Sequence, residues 1–226
     1  MGFSETAQAS VLWRARALDR SLAVAHARSV ARMERLVAAA RDLANETGNA
    51  AFTMAQLAER TGLSLKTVYR CFAGKDDLLL ALLEEDSHIG AELLTSMVER
   101  HRDPVERLRA FVSGLFEMLT HPGAIGYAGV LVREHRRLSE ERYDDLRIAL
   151  SPLTGLLAAE LASAIEAGAI GPRDPVRTAE AVFGLLLGGI HEVTLGRAEP
   201  REEATFLWDL VWGGLASRGR RRTRRR

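Results

Sequence analysis

The chain has 226 residues, 47% of them apolar and 27% charged, ordinary proportions for a folded protein with a substantial core. Its one cysteine, Cys71, excludes an intramolecular disulfide framework and a multi-cysteine zinc site, and its longest apolar run, residues 181–190, is about half of the ~20 residues that a bilayer span needs. The net charge of +1 hides an asymmetry: residues 1–73 hold 10 basic and 6 acidic side chains, residues 74–217 hold 14 and 24, and residues 218–226 hold seven arginines and no acid. Basic ends around an acidic body predict a polyanionic partner for the ends and another task for the middle.

Arg14, Arg16, Asp19 and Arg20 interrupt the N-terminus and leave no apolar stretch for secretion, so a cytoplasmic protein with no membrane partner is expected. Residues 1–28 read as a basic arm with Trp13, Arg14, Arg16, Arg20 and Arg28. From there the pattern is helical throughout, and about nine helices are expected. Met33, Leu36, Val37, Ala40 and Leu43 recur at spacings of three and four, and Gly48 closes that helix. Thr53 and Gln56 form a capping box that opens a short helix, which Thr61-Gly62 ends. Ser64 caps a second short helix, Leu65 to Phe72, and Ala73-Gly74 breaks it before Lys75-Asp76-Asp77 starts a long one, with its acids where the helix dipole favours them.

Pro104 lies in the first turn of a helix that runs to about His121, where Pro122-Gly123 stops it, and residues 124–137 are helical despite Gly126 and Gly129. Tyr143, Leu146, Leu150, Leu153, Leu157, Leu161 and Ile165 make the most regular stripe in the chain, and Pro152 within it predicts a kink near Leu150-Ser151. Two further helices span roughly 175–195 and 201–217, and the arginine-rich tail 218–226 reads as disordered. The expected architecture is all-α: a helix-turn-helix unit over 29–76 and a helical bundle over 77–217.

The stretch from Phe52 to Phe72 carries chemistry. Two short helices joined by a tight glycine-containing turn, after an amphipathic first helix, form a helix-turn-helix pattern. Phe52, Leu57, Ala58, Leu63, Val68 and Phe72 can meet Leu36, Ala40 and Leu43 in a miniature core, with Gly62 free to take a positive φ. Ser64, Lys66, Thr67, Tyr69 and Arg70 then point outward from one helix. This string resembles the N-terminal module of TetR-type (TetR/AcrR-like) transcriptional regulators over about residues 31–78, through Thr53, the run Leu57-Ala58-Glu59-Arg60, Gly62, Ser64, Tyr69, Phe72 and Lys75.

The resemblance implies double-stranded DNA as partner. Thr53, Tyr69 and Lys75 match positions that hold phosphates, and Ser64, Lys66 and Thr67 occupy the groove-facing start of the recognition helix, with Arg70 a further DNA-contact candidate. The family often has histidine where this chain has Cys71 and glycine where it has Lys66; the latter adds a long cation that can read guanine or neutralise phosphate. For the body the resemblance implies only the family's general habit, effector binding and dimerisation.

The last two helices are the dimer candidates, through Phe183, Leu187, Ile190, Trp208, Val211 and Trp212, with Gly184, Gly188 and Gly189 permitting close approach. Candidate effector-pocket residues are Phe111, Leu115, Phe116, Leu119, Tyr127, Leu131, Tyr143, Leu146 and Leu150, a mainly apolar set that points to a hydrophobic or amphipathic small molecule; His135, Arg133 and His191 read first as surface residues, with a polar anchor as the alternative for each. An enzyme is not expected. His191-Glu192 lacks the second histidine of a zincin pair, because Leu195 stands in its place, and no nucleophile elbow, phosphate loop or dinucleotide glycine pattern occurs. No metal and no cofactor are expected. The function predicted is a homodimeric, sequence-specific repressor released from a palindromic operator by a small molecule; the alternative is a non-specific architectural DNA-binding protein without an effector, driven by the arginine tail.

Overall fold

The computed structural model describes residues 3–216, with side chains from residue 18 onward. Ten α-helices follow one another: α1 (Phe3–Thr47), α2 (Met54–Thr61), α3 (Leu65–Cys71), α4 (Lys75–Val98), α5 (Pro104–Glu117), α6 (Ala124–Glu141), α7 (Tyr143–Ala149), α8 (Ser151–Glu166), α9 (Pro175–Thr194) and α10 (Pro200–Ala216). No strand occurs among the described residues. The tenth helix arises because the stripe expected as one kinked element is split in two at Leu150. Arg142 separates α6 from α7, and at Leu150, just before Pro152, the chain bends by 67° between α7 and α8. No single described helix is long and apolar enough to cross a membrane; the bent pair α7–α8 meets that criterion only jointly, and Leu146, Leu153, Leu157 and Leu161 within it are buried.

Residues 1–28 read as an arm distinct from the helix-turn-helix unit, yet α1 runs unbroken across residues 28 and 29. Leu18, Leu22 and Val24 on it are exposed. The side chains of Trp13, Arg14 and Arg16, and the whole Arg218–Arg226 tail, lie outside the described residues.

Two apolar cores organise the chain. In the N-terminal core Leu36, Val37 and Ala40 of α1, Leu57 and Ala58 of α2, Val68 of α3 and Phe72 enclose one another, while Leu43 and Leu63 are only partly buried. The first half of α4, Leu78 to Leu83, belongs to this core, as do Val130, Leu138, Leu146 and Ala149 from α6 and α7. The second half of α4, through Leu94 and Val98, belongs to the larger core of the body, built with α5, α8, α9 and α10. A boundary at 76/77 therefore falls in the first turn of a helix that is a shared strut.

Asp103 and Asp174 cap α5 and α9 ahead of Pro104 and Pro175, so both helices start where their unpaired N–H groups are satisfied. Arg107 on α5 forks onto Glu160 on α8, Nε to Oε2 at 2.6 Å and Nη2 to Oε1 at 2.7 Å, with Glu160 almost fully buried. The bidentate pairing offsets the cost of placing that carboxylate in the interior. At the α9–α10 crossing a Cβ on Gly189 would collide with Leu207 Cδ1, so the small residue sets how closely these helices pack within one protomer.

Candidate nucleic-acid interface and adjoining cavity

The reading unit is fixed by local chemistry. The Gln56 amide donates to Thr53 Oγ1 at 3.2 Å and the Thr53 amide donates to Gln56 Oε1 at 2.8 Å, closing the capping box. Gly62 ends α2 in the left-handed region at φ +66°, where a side chain would be strained, and its turn delivers the chain to Ser64. Ser64 Oγ accepts from the Thr67 amide at 3.2 Å and lies 2.9 Å from Thr67 Oγ1, so both hydroxyls are tied to the start of α3.

Val68 is fully buried beneath α3, and this sets the helix's rotation. Ser64, Lys66, Tyr69 and Arg70 are then exposed and Thr67 half-buried, with Tyr69 50% exposed. Lys66 and Arg70 enter no ion pair among the described residues, so both positive charges are available to an outside polyanion. Thr53 is exposed at the head of α2. Lys75 is turned elsewhere: its Nζ donates to the Ala50 carbonyl and sits 4.9 Å above the Phe52 ring, and burial pushes its pKa down. Its ammonium clasps the loop before α2 instead of extending from the surface. Cys71 is half-buried against the N-terminal core.

A cavity of about 270 Å³ lies in the body, walled by α4, α5, α6, α8 and α9. Leu115, Leu119, Tyr127, Leu131 and Leu150 line it. Tyr143 and Leu146, together with Leu150, instead line a second chamber of about 200 Å³ that adjoins the first at His135, Leu150, Phe183 and Leu187. Phe111 and Phe116, both named above as pocket residues, line neither chamber. They are wholly buried in the body core. Helical spacing marks such residues as apolar and inward; which neighbours leave a gap is a property of the packing. Of the proposed anchors His135 lines both chambers, whereas Arg133 is exposed and donates to the Gly48 carbonyl at 2.6 Å, and His191 lines neither.

Tyr127 was among the expected cavity residues, but its partners Asp86 and Arg41, which join cavity and reading unit, were not. Asp86, on the cavity wall, accepts from Tyr127 Oη at 2.5 Å through Oδ2 and from Arg41 Nη2 at 2.8 Å and Nε at 3.0 Å through Oδ1. Burial pushes the Asp86 carboxyl above the usual carboxylate range, while the Tyr127 hydroxyl and the Arg41 charge pull it back. Burial and the adjacent carboxylate together drive the Tyr127 phenol far above its ordinary value. Arg41 is on α1, Asp86 on α4 and Tyr127 on α6, so one polar cluster spans the helix-turn-helix unit and the cavity. Arg137 to Asp76 at 2.5 Å and Arg142 to Asp77 at 3.0 Å tie the C-terminal end of α6 to the start of α4. A polar Glu85-Asp86-Ser87 break in an apolar helical stretch was the available signal.

The dimer candidates are mostly packed within their own protomer. Phe183, Ile190, Trp208 and Val211 are buried in their own protomer, Leu187 and Trp212 are half-buried, and the Trp208 and Trp212 rings stack at 5.5 Å. The exposed apolar strip of α9 and α10 is instead Ala181, Gly184, Leu185 and Gly188 with Phe206 and Leu210. Gly189 serves the α9–α10 crossing inside the protomer, whereas a Cβ on Gly184 or Gly188 would meet nothing within 4 Å.

A short helix with a buried heel and a polar, cationic outer face, carried by a helical body with an apolar chamber, defines a helix-turn-helix transcription regulator with a ligand-binding domain. The pattern of bacterial regulatory proteins of the tetR family matches residues 36–82, and that of the tetracyclin repressor-like C-terminal domain matches residues 101–191. The chain belongs to the TetR family. No curated protein sequence matches it significantly. Among solved structures it is similar to the regulator FadR from Bacillus subtilis in complex with stearoyl-CoA, at 20% identity and TM-score 0.67 over 80% of this chain and 98% of that one. RolR in complex with resorcinol is 18% identical at TM-score 0.64, covering 86% and 94% of the two chains. A putative TetR-family regulator from Rhodococcus sp. is 20% identical at TM-score 0.62, covering 80% and 96%.

Proposed function

We propose that this protein is a homodimeric repressor that grips a palindromic operator through the α3 helices of two protomers and lets go when a mainly apolar small molecule fills the cavity. The observation that carries the reading is the Arg41–Asp86–Tyr127 cluster, which binds α1 of the reading unit to the wall of the chamber. A ligand pressing on Tyr127 changes the seat of α1, and with it the separation of the two reading helices. Two major-groove half-sites lie about one DNA turn, ~34 Å, apart, so a small change in that separation uncouples one α3 from its groove.

Lys66, Thr67, Tyr69 and Arg70 supply base-edge and phosphate contacts in this reading, with Ser64 and Thr53 holding the helix starts. The exposed strip of α9 and α10 packs on its own copy, since a two-fold axis lets one apolar, glycine-containing face cover itself. FadR with stearoyl-CoA and RolR with resorcinol show that the same fold houses ligands of very different size, so the effector class is argued from this chain's own cavity. The alternative, an architectural binder without an effector, leaves the chamber without a task. In vitro selection of genomic fragments followed by footprinting tests the reading: a protected palindrome of about 20 bp is expected, and affinity that falls steeply with salt but ignores sequence would sink it. Gly188→Arg is expected to convert the dimer to a folded monomer in sedimentation.

A further inference from the structure

Four polar side chains interrupt the apolar wall of the main chamber: Asp86, Ser87, Tyr127 and His135. Asp86 and Tyr127 are bound to each other and to Arg41. Ser87 is different. It is 1% exposed, and its Oγ is the one buried side-chain polar atom among the described residues with no hydrogen-bond partner. A serine within a helix ordinarily satisfies itself on the carbonyl four residues back, here Leu83, and this one does not. An unpaired hydroxyl in an apolar interior carries a desolvation penalty that folding alone gives no reason to accept. His135, on α6, brings a second polar group to the same chamber, and burial lowers its pKa and favours the neutral imidazole, one N–H donor and one lone pair. No lysine or arginine is among the described residues lining the chamber, and its one carboxylate already faces Arg41. An anion there would meet a like charge and no counter-ion; a cation would find both Asp86 oxygens engaged.

We propose that the chamber takes a neutral, largely apolar molecule and seats one hydroxyl or carbonyl group on Ser87 Oγ and the His135 imidazole. This deepens, and rests on, the reading of the chamber as an effector site. A ligand hydroxyl both donates and accepts, so it can complete Ser87 and His135 together, while the remaining walls, among them Leu115, Leu119, Leu131 and Leu153, cover its apolar body.

Calorimetric titration of the full chain with three matched probes tests this: 4-butylcyclohexanol, butylcyclohexane and 4-butylcyclohexanecarboxylate. The alcohol is expected to bind about fivefold to tenfold tighter than the hydrocarbon, as one well-made hydrogen bond allows, with the carboxylate weakest. Ser87→Ala is expected to cut the alcohol's advantage to about twofold and, by removing the unpaired hydroxyl, to raise Tm; a merely structural hydroxyl would lower Tm on removal. In the unmodified protein the His135 imidazole resonances shift with the alcohol and not with the hydrocarbon, a readout independent of the variant. Tightest binding by the carboxylate, or an alcohol preference untouched in Ser87→Ala, overturns the proposal. Equal binding of alcohol and hydrocarbon removes the polar seat and leaves the apolar effector reading standing; no binding of any probe removes both.

Discussion

The reading unit and the body solve opposite physical problems with the same element. In the reading unit the C-terminal part of α1 and two short helices enclose a small core, and the polar groups at the starts of α2 and α3 are tied locally, Thr53 to Gln56 and Ser64 to Thr67, while Lys75 reaches back to the Ala50 carbonyl. The result is a locally tied head with its candidate DNA-contacting side chains outside. The body has more helices, a larger core and a gap within it, and one of its buried hydroxyls is left unpaired. Stiffness suits a surface that must match a groove, whereas a space that must accept a ligand tolerates imperfect packing. Where the two meet, the Arg41, Asp86 and Tyr127 cluster joins the apolar packing of Val130, Leu138, Leu146 and Ala149, and hydrogen-bonded charges are the kind of contact that can exchange partners.

The largest expected effect tests the outward face of the head. Replacing Lys66, Thr67 and Tyr69 together by alanine removes three candidate contacts worth ~1–3 kcal/mol each, so operator affinity by fluorescence anisotropy should fall about a thousandfold. Circular dichroism should be unchanged, because the buried heel, Val68, is kept. Next comes the interior of the body. Arg107→Ala leaves the Glu160 carboxylate buried without its partner and should lower unfolding stability by about 3 kcal/mol in urea titration, without altering DNA affinity of the folded fraction.

The junction is expected to respond more mildly. Tyr127→Phe deletes a donor to the half-buried Asp86 and should cost about 1–2 kcal/mol; if the cluster transmits ligand binding, the variant also needs more ligand for operator release. An operator-release curve identical to that of the unmodified protein would confine Tyr127 to stability. The smallest effect is a pH dependence. Burial holds the folded-state pKa of His135 below its ordinary 6.5, so the unfolded chain takes up a proton first as pH falls. His135 therefore adds a stability loss on acidification from 6.5 down to its folded pKa, and none above pH 7. His135→Phe should flatten that part of the Tm-against-pH curve, and a slope identical in both proteins would remove the assignment.

Much of the head was legible in the sequence because its determinants are local: a capping box joins residues three apart, a left-handed turn asks for one glycine, and burial of Val68 alone on α3 fixes what faces out. Lys75 was the exception, since its partner, the Ala50 carbonyl, lies 25 residues away. In the body the periodicity located the helices and Pro152 located the bend, but the faces were mistaken where a helix is apolar all round. Phe183, Leu185, Leu186 and Leu187 give α9 no preferred side, and Phe183 turned inward while Leu185 turned out. Phe111 and Leu115 share one stripe of α5, yet only Leu115 borders the chamber.

The chain's order of residues by itself determined an all-α protein, the helix-turn-helix unit, its cap and turn chemistry, and the outward set on α3, because each depends on neighbours a few positions apart. Tertiary packing alone decided where the chamber opens, that Ser87 is left unpaired beside it, that Asp86 bridges Arg41 and Tyr127, and which strip of α9 and α10 stays exposed. These depend on side chains meeting across 40 or more residues, and a gap between helices is the sum of all their volumes and crossing angles, which no single periodicity encodes.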